Sequence, residues 1–287
     1  MNNPLKLEFT GERFTPECVR EIAYEHWHRY AWAATVVDGK QVLDAACGEG
    51  YGSYLLSARA AQVIGVDLSD NAIEHASHRY GSDSLKFQQA DVTELPLEDH
   101  SVDVVVSFET LEHLHAQDDM LREFRRVLRP DGCLLISSPD RKTYSDDTGY
   151  ENPYHVRELY RDEFEALLSR HFPAYSLFGQ KLMFVSAVWL LEQGGQTIFH
   201  TDSTHDKSGI VEDTPHPTQP PVYFLAVAGS TTESLPEICP ISLYGDRKES
   251  VYEHYNDEIR KHIRAGQLLA ERDAEIAELK ARLEQFG

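Results

Sequence analysis

Cysteine is scarce in these 287 residues: Cys18, Cys47, Cys133 and Cys239 are far apart, and no two form a Cys-x-x-Cys pair. That excludes a zinc knuckle or a disulfide framework from the expected architecture. Positive charge is also short. Lys and Arg number 27 against 48 Asp and Glu, a formal net charge of −21. With no local Lys/Arg cluster, such a field repels nucleic acid and anionic membrane surfaces, so neither is an expected partner. Long apolar runs are missing too. The best stretch, Leu182 to Leu191, is about half of what a membrane-spanning helix needs, so no membrane insertion is expected. The first residues, MNNPLKLEFTGERF, lack the apolar core of a signal peptide, and a reducing, cytoplasmic location is the expectation.

What is present is ordinary globular material, 41% hydrophobic and long enough to bury a core. From residue 41 the chain alternates regularly. Apolar strands are expected at 41–44, 62–67, 85–89, 102–108 and 133–137. Helices are expected at 51–60, 69–80 and 118–128, with Ser69 as a cap and Pro130-Asp-Gly132 as a stop and turn. This rhythm is that of an α/β, doubly wound sheet. A helix at 162–170 and two late strands at 175–182 and 222–228 follow. The stretch 192–221 between those strands is too long for a turn and reads as irregular, a lid or disorder. The expected layout is an N-terminal helical lid segment (1–39), a sheet domain (40–230) with an insert at about 190–221, a linker (231–251) and a C-terminal helix (252–287). On that helix Leu269, Ile276 and Leu283 fall seven apart, with Leu279 and Phe286 on the second seam. A short coiled coil follows from this spacing, pairing two copies or binding a partner helix; a charged, solvated helix is the plainer alternative.

The sharpest signal is Val42-Leu-Asp-Ala-Ala-Cys-Gly-Glu-Gly-Tyr-Gly52. Gly48, Gly50 and Gly52 occupy a strand-to-helix turn, where bare backbone admits a tight bend and a close ligand. Asp67 ends the next strand, the place of a carboxylate that accepts ribose hydroxyls. Asp44 and Glu49 flank the turn, and acids there repel a pyrophosphate and suit an amino group. The glycine spacing also departs from the dinucleotide fingerprint, so a dehydrogenase is the weaker reading.

These residues, with Gly65-Val-Asp-Leu-Ser69, Gln89-Ala-Asp-Val92, Val105-Val-Ser-Phe-Glu109, Leu111-Glu-His-Leu114 and Arg126-Val-Leu-Arg-Pro-Asp-Gly132, resemble the class I S-adenosylmethionine-dependent methyltransferases over roughly residues 40–140. The resemblance implies a seven-stranded, Rossmann-like sheet with a late antiparallel hairpin. It implies S-adenosyl-L-methionine as cofactor and S-adenosyl-L-homocysteine as product. It gives Asp44 and the backbone of Ala46 and Gly48 to the methionine amine, with Gly50 in the same turn. Asp67 goes to the ribose, Leu68 to the adenine face, and Asp91 to the adenine amino group with Val92 beside it. Phe108 would line the pocket near the methyl. Arg29 would pair with the methionine carboxylate, with Tyr30 packed next to it. Gly11-Glu-Arg-Phe-Thr-Pro16, Glu25-His-Trp-His-Arg-Tyr30, Ser107-Phe-Glu-Thr-Leu-Glu-His113 and Asn152-Pro-Tyr-His-Val-Arg-Glu158 further resemble methyltransferases of bacterial surface-polysaccharide (O-antigen cluster) biosynthesis. They imply a saccharide acceptor: a nucleotide sugar, a lipid-linked chain or a polymer.

A sugar hydroxyl needs a base. His113, His155 and Glu109 are the candidates, because they follow the strands whose ends face the ligand. Glu109, Glu112 and His113 share one face if they lie on a helical turn. His113 alternatively hydrogen-bonds the cofactor pocket, and Glu109 alternatively orients a histidine. His26, Trp27 and His28 read as sugar contacts or, more simply, as the packed face of a helix, and Arg13 as part of a lid. No metal site is expected: His200, His205 and His216, with Asp202, Asp206 and Asp213, match no ligand spacing. Two other functions fit the motifs: methyl transfer to a small phenol, quinone precursor or carboxylate, and a non-catalytic cofactor-binding scaffold. The intact glycines and acids argue against the scaffold.

Overall fold

The computed structural model describes residues 14–16, 18, 21–183, 219–245 and 249–285, and the backbone of two short strands at 201–204 and 211–214. A seven-stranded sheet forms its centre. Five parallel strands come first: β1 (Gln41–Ala45), β2 (Gln62–Asp67), β3 (Leu85–Gln89), β4 (Val102–Ser107) and β5 (Leu128–Pro139). Two late strands, β6 (Ala174–Gln180) and β9 (Tyr223–Gly229), complete it, β9 running antiparallel to both of its neighbours, in the order β3-β2-β1-β4-β5-β9-β6. The late hairpin expected from sequence is present, with β6 on the edge and β9 inserted next to β5.

The register aligns the strand ends that matter. Asp44 stands opposite Gly65 and Val106, Asp67 opposite Gln89, and Ser107 opposite Ile136. The order reverses between β1 and β4. Ligands of open α/β sheets bind at such a switch point, beyond the carboxyl ends of the strands.

Two apolar layers sandwich the sheet. One face carries α4 (Gln117–Val127) and α5 (Arg161–His171). On α4, Met120, Leu121, Phe124 and Val127 fall at helical spacing and are fully buried with Phe164, Leu168 and Phe172. The other face carries α1 (Glu21–Ala33) and α2 (Tyr51–Ser57), with Tyr30, Trp32, Ala33, Tyr51 and Leu56 in its core. Between β2 and β3 runs α3 (Asp70–Tyr80), capped as expected by Ser69, whose hydroxyl accepts from the Ala72 amide.

Two local expectations are corrected. Pro130-Asp-Gly132 does not turn the chain away. Those residues lie within β5, and the mismatch is absorbed by a register shift opposite Val102–Val104. The stretch 192–221 is not wholly irregular. β7 (Thr201–Thr204) and β8 (Val211–Thr214) pair antiparallel within it, in segments rich in β-branched Thr and Val.

The long α6 (Ser250–Glu284) buries only Val251, although the Tyr255 hydroxyl reaches Glu21 on α1. Ile263, Leu269, Ile276, Leu279 and Leu283 are exposed. No helix among the described residues is long and apolar enough to cross a membrane. Since every described residue from Lys261 onward is exposed, removing residues 261–287 should leave the urea-unfolding midpoint of the remaining chain unchanged. A lower midpoint would mean that the distal helix carries stability that its contacts do not account for.

Candidate active site

The site begins where the chain leaves β1. Ala46, Gly48 and Gly50 all have left-handed backbone, at φ 62°, 57° and 92°. The loop is tied to β2 by the Cys47 amide bonding the Val66 carbonyl at 2.8 Å. Gly50 is required by conformation and by space, since a Cβ there would stand 2.7 Å from that of Ala76. Gly52 serves packing rather than ligand approach: an added Cβ would fall 2.1 Å from the Tyr30 ring.

This backbone sends the two acids of the turn in opposite directions, which corrects the expectation that both face a ligand. Glu49 is buried against α3. Its Oε1 lies 2.7 Å from Arg79 Nη1, 2.9 Å from His75 Nε2 and 3.1 Å from the Tyr80 hydroxyl. Arg79 offsets its charge there, so Glu49 fastens the loop to the helix. Asp44 points the other way and is fully buried. It accepts from the Tyr30 hydroxyl at 3.1 Å and from Ser53 Oγ at 2.6 Å. Burial, with a smaller contribution from the nearby charge of Asp67, pushes its pKa up to about 6.

Asp67 is half-buried at the end of β2. Its two oxygens accept from the backbone amides of Gly48 and Ser69, each at 2.9 Å. Those bonds fix the carboxylate at the loop's open edge. Leu68 beside it is 69% exposed, an apolar side chain left without cover, and its carbonyl is held by Gln89 Nε2 at 3.0 Å. Asp91 follows β3 on the surface. Its Oδ1 accepts from the amide and the hydroxyl of Thr93, which sets the carboxylate's direction, and Val92 is buried next to it. Phe108 is buried past β4 with its ring edge-on to Tyr30 at 5.3 Å. Asp44, Ala46, Gly48, Gly50, Asp67, Leu68, Asp91, Val92 and Phe108 thus follow the carboxyl edge of four adjacent strands.

Arg29 reaches this edge from α1. The guanidinium is 1% exposed. Nη1 donates to Gln180 Oε1 at 2.8 Å and lies 3.9 Å from Glu109, and the Tyr223 ring covers it at 4.8 Å. Nε and Nη2 are buried without a hydrogen-bond partner among the described residues. These two nitrogens form one planar edge, the fork that receives a carboxylate in bidentate fashion. Leaving them bare in the interior is costly, so the orphaned edge marks a place for an anionic group. The sequence reading missed Gln180 and Tyr223, which frame Arg29. They lie 151 and 194 positions further along the chain, and no local motif announces them.

The neighbouring histidines on α1 are part-buried and occupied by contacts within the protein. His26 stacks on Phe14 at 4.5 Å, and burial holds its pKa well below the usual imidazole range. His28 bonds Ser242 and stacks on Tyr244. Arg13, His200, His205, Asp206 and His216 lie outside the described residues, and Asp202 and Asp213 are described by backbone alone.

The three expected catalytic residues separate into two groups. Glu109 adopts φ 53°, which ends β4 and keeps it off the short 3₁₀ turn at Leu111–His113. The shared helical face therefore does not form. Glu109 turns toward Ser137, whose hydroxyl donates to it at 2.6 Å, and toward Arg29. His113 instead meets His155, with ring centroids 5.0 Å apart. Nδ1 of His113 lies 3.0 Å from the Tyr154 carbonyl and so carries the hydrogen of that bond, which leaves the lone pair on Nε2. Nδ1 of His155 lies 2.5 Å from Glu158, and its Nε2 is 2.9 Å from Asn152 Nδ2. Glu158 was readable in principle, three residues past His155 in the same motif. Tyr144 stacks on His155 at 5.3 Å and approaches Tyr223 at 5.9 Å, so a row of rings joins the two histidines to the Arg29 pocket.

Comparison with known proteins agrees with this geometry. Residues 43–136 match the family model described as a methyltransferase domain. A "Probable S-adenosylmethionine-dependent methyltransferase" of Mycobacterium tuberculosis is 44% identical over 170 residues, 58% of this chain and 61% of that protein. A similarly named protein of Mycolicibacterium smegmatis is 41% identical over 169 residues, 58% of this chain and 65% of its own length. The chain thus spans less than two thirds of these relatives. The crystal structure of a Pyrococcus horikoshii protein has the same fold, with a TM-score of 0.51 at 19% identity, over 76% of this chain and 95% of that one. The strand order, the glycine turn and these matches together make residues 43–136 similar to a methyltransferase domain, and 58% of the chain similar to part of proteins named S-adenosylmethionine-dependent methyltransferases.

Proposed function

We propose that the protein transfers the methyl group of S-adenosylmethionine to a hydroxyl of a saccharide in bacterial surface-glycan (O-antigen-like) biosynthesis. The cofactor half of this reading is carried by the orphaned Nε–Nη2 edge of Arg29, whose chain neighbour Tyr30 donates to the buried carboxylate of Asp44. A cation and an anion so placed suit the two charged ends of an amino acid. In this reading Asp44, with the backbone of Ala46 and Gly48 and the turn at Gly50, holds the amine. Arg29 holds the carboxylate, while Tyr30 holds Asp44 in place. Asp67 takes the ribose hydroxyls, Leu68 covers one adenine face, Asp91 accepts from the adenine amino group, and Val92 and Phe108 keep water out. When bound, the cofactor supplies an electrophilic methyl group on a sulfonium and leaves as S-adenosylhomocysteine.

The acceptor half rests on the mouth beyond β4 and β5. Tyr150, Tyr154 and Tyr160 are 53%, 48% and 37% exposed there, beside Tyr144 and the two histidines. Exposed rings interleaved with polar groups suit a sugar, whose apolar faces stack while its hydroxyls bond. Among the described residues this mouth presents exposed rings, which favours a sugar over the phenol or quinone precursor that a closed apolar pocket would suit. His113 presents Nε2 to take the hydroxyl's proton. Its Nδ1–H bond to Tyr154 holds the ring in the needed tautomer. His155 flanks it, and Glu109, on the Arg29 side, accepts hydrogen bonds from the sugar.

The test uses cofactor labelled in its methyl group, incubated with fractions of a glycan-producing bacterial cell. Label is expected in nucleotide sugars or lipid-linked glycans; label only in small organic-soluble metabolites would overturn the saccharide reading. His113→Ala should lower turnover by about 10²–10⁴-fold while S-adenosylhomocysteine still binds with its normal affinity. Full turnover in that variant would remove His113 from the chemistry.

Asp44 makes the cofactor reading testable through pH. Its folded pKa of about 6 lies above its ordinary value of 3.8, so the folded protein binds the proton more tightly than the unfolded chain does. The apo protein therefore loses stability as pH rises from about 4 to about 6. Cofactor affinity should move the opposite way and rise through about pH 6, because only the ionised carboxylate attracts an ammonium group. Calorimetric titration with S-adenosylhomocysteine across this range should show the rise in the wild type and its loss in Asp44→Asn. Equal pH slopes in the two proteins would take the amine away from Asp44.

A further inference from the structure

We propose that Glu112, His113 and His155 form a binding site for one divalent transition cation, such as Zn²⁺ or Mn²⁺, at the acceptor mouth. One donor atom from each residue lies within 4.8 Å of the other two. The Glu112 Oε1 to His113 Nε2 distance is 3.8 Å. Two ligands each about 2.0–2.2 Å from a shared ion stand about 3–4 Å apart, so this pair already fits, and the widest separation closes with a small side-chain movement.

Two observations separate this group from a chance meeting of polar side chains. The first is the orientation of the imidazoles. A ligating histidine usually donates its other ring N–H to a carboxylate or a backbone carbonyl, which fixes the tautomer and raises the basicity of the ligand atom. Both partners are in place: the Tyr154 carbonyl at 3.0 Å from Nδ1 of His113, and Glu158 at 2.5 Å from Nδ1 of His155. Glu158 is anchored in turn by the Ser145 hydroxyl at 2.6 Å. The second is the graded burial. Glu112 is buried and the His155 side chain is 8% exposed, whereas that of His113 is 26% exposed. The floor is rigid and dry while one side opens to solvent, which supplies both an entry path and coordination positions for an exogenous oxygen. Asn152 Nδ2 now bonds Nε2 of His155 and gives up that one contact when the ion binds; Asn152 itself stays held through Oδ1, which accepts from the Tyr154 amide. Two imidazole nitrogens with one carboxylate oxygen favour a first-row transition ion over Mg²⁺ or Ca²⁺, which prefer oxygen alone.

This inference rests on the reading that the acceptor hydroxyl meets the methyl group at this mouth. Without a cation, Nε2 of His113 takes the hydroxyl proton. With one bound, Nε2 becomes a ligand, the hydroxyl oxygen binds the ion, and its acidity rises. The proton then passes to solvent on the open side of the site, where His113 is exposed. The oxygen lone pair forms the bond to the methyl carbon as the carbon–sulfur bond breaks and leaves its electron pair on sulfur.

The experiment starts from full-length protein stripped with a chelator and titrated with Co²⁺, whose visible spectrum reports nitrogen ligation, and with Zn²⁺ in a calorimeter. One ion per chain is expected. His155→Ala and Glu112→Gln should abolish that binding, and Glu158→Gln should weaken it by about tenfold or more. Retained S-adenosylhomocysteine affinity certifies that each variant is folded. Where a variant fails that check, the wild type still answers: Mn²⁺ should selectively broaden the imidazole NMR signals of His113 and His155. Absence of stoichiometric binding, or equal binding by wild type and His155→Ala, overturns the site. Full turnover of the chelator-stripped enzyme with a saccharide would discard the cation's role and leave the saccharide reading standing. A well-formed cation site on an enzyme that labels no glycan would do the reverse.

Discussion

The way the chain leaves β1 sets up everything at the carboxyl edge of the sheet. Three left-handed residues within five positions force one acid, Asp44, inward and the other, Glu49, outward onto α3. The outward acid clamps the loop to a helix through Arg79, His75 and Tyr80. The inward one stays buried at the cost of a raised proton affinity, shared between the hydroxyls of Tyr30 and Ser53. A turn built only to reverse direction would not need either arrangement. Here the backbone strain and the buried charge belong to one device that holds an anionic group ready in a dry place.

The second device is assembled from distant segments. Arg29 comes from the first helix, Gln180 and Tyr223 from the two antiparallel strands at the far side of the sheet, and Glu109 from the end of β4. The tyrosine row then extends from Arg29 to the paired histidines. A row of rings thus links the Arg29 guanidinium to the paired histidines, and the late hairpin joins the two through Tyr223.

Much of this was readable along the chain because the governing interactions are local. Alternating apolar strands, the Ser69 cap and the glycine turn depend on residues a few positions apart, and they place Asp44, Asp67, Asp91 and Phe108 correctly at strand ends. The failures come from interactions across the fold. Glu49 looks like a ligand-facing acid until α3, some thirty residues on, supplies its cation. Glu109 looks like a member of a helical triplet until its own backbone angle and the Ser137 hydroxyl draw it toward Arg29. Pro130 and Gly132 look like a turn, but a shift of register in the neighbouring strand takes up the irregularity. Gly52 looks like a third glycine of the turn, but its missing side chain makes room for the Tyr30 ring.

Arg29 and Tyr30 are consecutive on α1, one holding the orphaned guanidinium edge and the other the hydroxyl on Asp44. A ligand that satisfies both ends of the pocket therefore also sutures α1 to the sheet. Part of its binding free energy is spent on docking a helix rather than on contact with the ligand alone. The first helix is in that sense an occupancy gauge: the hydrogen exchange of its amides should slow when the pocket fills.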